Sequence, residues 1–321
     1  MPSSFAPTGA TPAGRVPSKQ EVFQAAADLA VVASRMSGVV GDAWGQAFVR
    51  PPYSVVAGAP NERRRCPDVI SRVWRDFAPK STYVKVTDRC CVARPEACFL
   101  QLSASLSRER LFMLGMELCG TYAPHPLQPR ELVSRGWGNV LTTPARLKRY
   151  LDKAGGAHGI AQARTVTRYL AQGAASPAEA QTYLLLCLPT RFGGYGIEPP
   201  LLNQRLQFAG GSVKLASDSE DLAGWETRRP DFLWRKHGLA LEYDSLLHHS
   251  KANEMSRDSR RRGELEFADI HVMTLSAGQL YDRAAFDKLA RAIAKQVGRR
   301  LASASRKWDD AQRALRQGIL D

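Results

Sequence analysis

One hexapeptide constrains this chain more than any other: Leu239-Ala240-Leu241-Glu242-Tyr243-Asp244. Its first half reads as a buried apolar strand, and its second half ends that strand in two carboxylates. Side chains alternate along a strand, so Glu242 and Asp244 share a face. Carboxylates leaving an apolar run lose hydration and repel one another unless a cation or a proton joins them. Two further acids belong with them. Glu179 lies on the first turn of a helix opened by Ser176-Pro177-Ala178-Glu179, with a Ser cap, Pro in the first turn and Glu closing a capping box. Asp231 stands in Arg229-Pro230-Asp231-Phe232, within a strand expected over 228–235. A hard divalent ion suits such a set. Mg²⁺, with Mn²⁺ as a substitute, binds through one or two carboxylates plus water and a substrate phosphate.

The surrounding pattern is α/β. From residue 176 onward a helix to about Leu188 is followed by strands at 202–208, 228–235 and 239–243. A charged helix at 251–268, a strand at 270–275 and a largely helical run over 279–305 complete it. Before it lies an N-terminal, mostly helical α+β region. Helices are expected there at 20–36, 95–106, 108–118, 144–151 and 161–172. Gly173 to Ser176 reads as the boundary. The resulting division is a disordered leader (1–18), a basic N-terminal region (19–172), an α/β domain (176–300) and a helical tail (301–321).

Charge narrows the partners. The 321 residues carry 45 Lys+Arg against 31 Asp+Glu, for a net +14. Residues 1–60 contribute +1, residues 61–175 contribute +10, and residues 176–321 contribute +3. The middle segment, densest at Arg63, Arg64 and Arg65, is thus the expected attractor of a polyanion, while the acids gather elsewhere. No run of about 20 apolar residues is present, so no membrane span is expected. The N-terminus lacks the pattern of a secretory signal, and the six cysteines form no CxxC pair, which points to a cytoplasmic chain with reduced thiols. No Gly-Lys-Ser/Thr follows the glycines around Tyr195, which excludes a P-loop there. No small-molecule cofactor is expected.

The order of these elements, a helix bearing an acid, Pro-Asp on one strand and Glu-x-x on the next, resembles the PD-(D/E)XK nuclease superfamily. More closely, it is similar to the group around the very-short-patch repair endonucleases and their relatives. The resemblance extends through Glu242-Tyr243-Asp244-Ser245 to the His248-His249 pair, then Arg257-Asp258-Ser259-Arg260-Arg261, then Ile270 to Leu275. It covers about residues 176–290. It implies a restriction-endonuclease-like mixed sheet flanked by helices, and Mg²⁺-dependent hydrolysis of DNA. Asp231 and Glu242 would ligate the metal, with the Tyr243 carbonyl as an extra ligand. Glu179 would approach directly or through water, and His249 would act as acid or base. Arg229, Arg257 and Arg261 would grip phosphates. Asp244 replaces the Lys of many superfamily members, a variation shared by the nearer relatives, and Ser245 replaces their Gly.

Upstream, Cys98-Phe99-Leu100-Gln101-Leu102, Leu118-Cys119-Gly120 and Thr142-Thr143-Pro144-Ala145-Arg146 resemble the region ahead of this nuclease domain in some bacterial proteins. That region is related to antitoxin-type regulators of abortive-infection systems, and it implies a defence or mobile-element setting. The alternative is a non-catalytic DNA-binding regulator that keeps the nuclease fold as a scaffold.

Overall fold

The structure is a computed structural model. It describes residues 53–57, 65–66, 69–73, 79, 81–85, 91–125, 131–209, 212–216, 226–244, 269–301 and 305–321. The leader, the helices expected at 20–36 and 251–268, and the side chains of Arg63, Arg64, Arg65, His248, His249, Arg257 and Arg261 lie outside the described residues.

In chain order the first elements are β1 (Tyr53–Ala57), β2 (Arg65–Cys66), β3 (Val69–Val73), β4 (Tyr83–Lys85), β5 (Cys91–Ala93) and α1 (Pro95–Leu102). Next come α2 (Arg108–Leu118), β6 (Tyr122–Pro124), β7 (Leu132–Ser134), α3 (Pro144–Lys153) and α4 (Ile160–Thr167). The rest are α5 (Pro177–Cys187), β8 (Leu201–Leu202), β9 (Leu206–Ala209), β10 (Ser212–Leu215), β11 (Glu226–Arg228), β12 (Phe232–Trp234), β13 (Leu239–Asp244), β14 (His271–Ser276), α6 (Ala277–Tyr281), α7 (Arg283–Gln296) and α8 (Arg306–Leu320). The protein therefore combines helices with mixed sheets, as an α/β chain. No helix among the described residues is long and apolar enough to cross a membrane. The described cysteines, Cys91, Cys98, Cys119 and Cys187, are free.

The contacts divide the chain into two units. One comprises residues 1–105, 124–133 and 146–163, and the other residues 106–123, 134–145 and 164–321. In the first, β1 runs parallel to β3, which pairs antiparallel with β2, and β4 and β5 form an antiparallel pair. Ala97, Phe99 and Leu100 of α1 are buried, as are Leu147 and Leu151 of α3. The Thr82 and Tyr150 hydroxyls meet at 3.0 Å.

The second unit holds the acids. Its four-stranded sheet has the order β14-β13-β12-β8, with β13 and β14 parallel and the other pairs antiparallel. A second sheet, β10-β9-β11, is wholly antiparallel. The sheets share one ribbon. Leu202 pairs with Phe232 in the first sheet and Leu206 with Arg228 in the second, so one antiparallel register continues through a bend. This bend corrects two sequence expectations. The strand expected over 228–235 divides at Pro230, which has no N–H to continue a ladder. The strand expected over 202–208 divides at Asn203, whose φ of 49° is left-handed and ends extended pairing. Leu206, Leu233, Ala240 and Ile270 form a core cluster, joined by Phe208, Leu215 and Val272.

Helix α5 is buried on every side from Glu179 to Leu186, as suits a helix at the centre of its unit. It packs against α2 and α8. The helical run expected over 279–305 is shorter, because it splits at Asp282, which caps α7 by accepting the Ala285 N–H at 2.6 Å, and ends near Gly298 in a left-handed conformation. The expected tail, residues 306–320, is a helix that belongs to the second unit, with Leu315 and Ile319 buried.

Candidate functional site

Glu179, Asn203, Asp231 and Glu242 come together where the ribbon bends. Strand register does most of the placing. Phe232 faces Leu241, so the preceding Asp231 falls opposite Glu242. On its other side Asp231 accepts the Asn203 N–H through its backbone carbonyl at 3.1 Å. The Asp231 carboxylate accepts the Tyr243 N–H through Oδ2 at 2.7 Å, and Oδ1 has no hydrogen bond among the described residues.

Glu179 is buried and held from three directions. Its Oε2 accepts the Ala175 N–H at 2.7 Å and the Asn203 side-chain amide at 2.6 Å, while Oε1 accepts the Ser176 hydroxyl at 2.9 Å. The expected capping box is therefore altered. Ser176 Oγ does accept the Glu179 N–H, but the Glu179 carboxylate reaches the Ala175 amide in place of the Ser176 amide. The segment 173–176 lies inside the second unit and takes part in this cluster, since the Gly173 carbonyl accepts the other amide bond of Asn203 at 3.0 Å.

The electrostatics follow from this packing. Burial raises the Glu179 carboxyl above its ordinary range, against the lowering effect of its three donors. Asp231 is raised well above the ordinary aspartate range. Burial is the first cause and the Glu179 charge the second, with Glu242 adding to them and the Tyr243 N–H opposing. The Glu179 and Asp231 carboxylates thus compete to stay ionised in one partly dry site.

The other expected site residues fall into place around it. Asp244 is half-buried at the end of β13, opposite Ser276. It shares the strand face of Glu242, as alternation requires. Tyr243 meets Asp231 through its amide, which makes it a holder of that carboxylate. Arg229 donates to the Asn203 carbonyl at 3.2 Å and lies 4.6 Å from the Trp137 ring centre, so it braces the bend. Sequence reasoning missed Asn203. Its signal was a polar residue ending the apolar pair Leu201-Leu202, a weak one because the amide's two partners, Gly173 and Glu179, lie far away in sequence.

Among the described residues no group of three His, Cys, Asp or Glu side chains is placed to hold a metal. The donors at hand are the carboxylates of Asp231 and Glu242, with Oδ1 of Asp231 lacking a hydrogen bond among the described residues. Two hard oxygen donors fit Mg²⁺, which keeps most of its waters, better than a metal that needs a full protein cage. A scan against protein-family models, a search of curated proteins and a search of solved structures each find no match to this chain.

Proposed function

We propose that this chain is a metal-dependent DNA endonuclease of the PD-(D/E)XK type. The observation that carries the reading is the buried Glu179 carboxylate beside the half-buried Asp231, with Glu242 close enough to raise Asp231 further. Bringing further carboxylates beside the already hydrogen-bonded Glu179 costs stability. The surroundings support it. An acid-bearing helix precedes three antiparallel neighbours in the order β8, β12, β13, and a fourth strand, β14, lies parallel to the third. A restriction-endonuclease-like core is built in this way.

In this reading Asp231 and Glu242 would hold Mg²⁺ or Mn²⁺. The ion supplies an acidified water and charge stabilisation at the scissile phosphate. The chain's own residues do the positioning. Tyr243 fixes Asp231 through one oxygen and leaves the other for the ligand. Asn203 holds Glu179 beside Asp231 and keeps the bend closed. Glu179, with one lone pair of Oε1 still open, orients a water near Asp231. Asp244, on the same face of β13 as Glu242, would add negative charge to that face.

Incubation of purified protein with plasmid and linear DNA in Mg²⁺ or Mn²⁺ tests the reading. Nicking or cutting by the wild type, lost in Asp231→Ala and in Glu242→Ala while both variants stay folded, supports it. Equal cutting by both variants rejects it. Salt-dependent DNA binding with no cleavage in either metal also rejects it, in favour of a regulator that keeps the scaffold.

A further inference from the structure

The cations of the second unit gather at a place that the sequence does not advertise. A groove lies beyond the C-terminal end of α5, between the turn at residues 190–192, the end of α7 and the start of α8. Its deeper part is a cavity of about 370 Å³, with Tyr195 and Trp308 in its wall. A second hollow of about 400 Å³ shares Arg291 and Leu301 with it. Arg191, Arg291, Lys295, Arg299, Arg300 and Lys307 line the two. All six are exposed.

The groove has a firm floor. Tyr195 and Trp308 pack edge to face at 5.4 Å, and the Trp308 indole N–H donates to the Gly194 carbonyl at 3.0 Å. Gly298, at φ 68°, turns the chain at the end of α7 and carries Arg299 and Arg300 into line. Two of the cations are tied: Arg291 pairs with Asp287 at 2.7 Å, and Arg191 donates to the Tyr169 hydroxyl at 2.5 Å. Lys295, Arg299, Arg300 and Lys307 have no ion pair among the described residues. Compensation of the exposed carbonyls at the end of α7 accounts for one or two cations near that end. It does not account for Lys307 on α8 or Arg191 beyond α5.

We infer that this groove binds the phosphate backbone of a nucleic acid, as an anchoring surface separate from the acid cluster. The inference rests on the reading of nucleic acid as the substrate. Length favours a polymer over a single nucleotide. Helix α5 carries Glu179 on its first turn and ends at Cys187 before the groove, so the helix alone separates the two by about 12 Å at about 1.5 Å per residue. A mononucleotide in the groove would not reach the acids, whereas a strand or duplex several nucleotides long covers that distance. Cations on several elements also suit repeated phosphates, which are held by charge without base reading.

The test is fluorescence anisotropy of a labelled 20-base-pair duplex in EDTA, between 50 and 200 mM KCl. It compares the wild type, the charge-conserving variant Arg299→Lys/Arg300→Lys and the combined variant Lys295→Ala/Arg299→Ala/Arg300→Ala/Lys307→Ala, with circular dichroism confirming that each is folded. The combined variant is expected to bind at least about tenfold more weakly and to lose about 3.6 units of the log–log salt slope, at about 0.9 for each of the four phosphate contacts. Replacing the two arginines by lysine should retain the slope. An unchanged affinity and slope in the combined variant overturns the inference, as does a wild type that binds phosphatidylserine vesicles through these residues but not DNA. Binding is read without metal, so the two proposals fail separately. Groove-dependent binding without cleavage removes the nuclease reading alone, and cleavage with groove-independent binding removes this one alone.

Discussion

Asn203 shows how much one residue can hold. Its backbone N–H meets Asp231, its carbonyl takes Arg229, and its side-chain amide joins the Gly173 carbonyl to Glu179. Removing the amide in Asn203→Ala strips a donor from a buried carboxylate, at a cost of about 1–3 kcal/mol. Asn203→Gly loses the same donor but tolerates φ 49°, and chemical denaturation should place it about 1 kcal/mol above the alanine variant. Asp231 has the opposite character. Its folded-state carboxyl titrates above its unfolded value, so the folded chain keeps its proton to higher pH. Stability is therefore full below the unfolded carboxyl range and falls as pH rises through the folded one. Asp231→Asn removes that loss. Thermal unfolding from pH 4 to pH 8 should show the variant gaining on the wild type as pH rises. A wild type that instead gains on the variant would show that the carboxylate is stabilised by its surroundings.

At the scale of elements, α8 is part of the unit that carries the acids. Ile319 is buried, and the Ile319 carbonyl accepts the Gln181 side chain from α5 at 2.7 Å. The Arg316 guanidinium donates to the Leu280 and Tyr281 carbonyls at the end of α6. Ile319→Ala should cost about 2–5 kcal/mol in urea unfolding, as a buried apolar truncation does. Gly193 is a sharper constraint. Its φ is 88°, and a Cβ there would stand 2.4 Å from the Ala311 carbonyl oxygen of α8. Gly193→Ala should destabilise the chain through both the strained turn and the displaced helix, and a thermal midpoint equal to the wild type's would contradict that packing.

For the molecule as a whole, positive and negative charge gather in different places. The sequence places the largest excess of cations in residues 61–175, but the structure gathers a separate group around the end of α7 and the start of α8, within a segment that carries only +3 overall. Net charge by segment concealed it, because acids such as Glu179 and Asp231 at the bend, and Glu198 and Asp287 in local ion pairs, offset the cations in the sum. A divalent ion binding only the folded site should stabilise by mass action, by about 1.4 kcal/mol for each tenfold of concentration above its dissociation constant. Mg²⁺ should thus raise the unfolding temperature of the wild type and leave that of Asp231→Asn unmoved.

The sequence by itself determined the local chemistry. The Ser176-Pro177 helix start, the helix at 108–118, and the face shared by Glu242 and Asp244 all follow from capping, periodicity and alternation, which act over a few residues. The acids at 179, 231 and 242 were legible as a set because Glu179 opens a helix, Asp231 precedes a strand and Glu242 follows an apolar run within the next strand. Only the tertiary structure decided that Asp231 sits at a bend, that Asn203 is its neighbour, and that cations from three elements line one groove. Those facts depend on which strand pairs with which, and on contacts between residues tens of positions apart. Pairing is set by the burial of whole faces, and no short stretch of sequence encodes it.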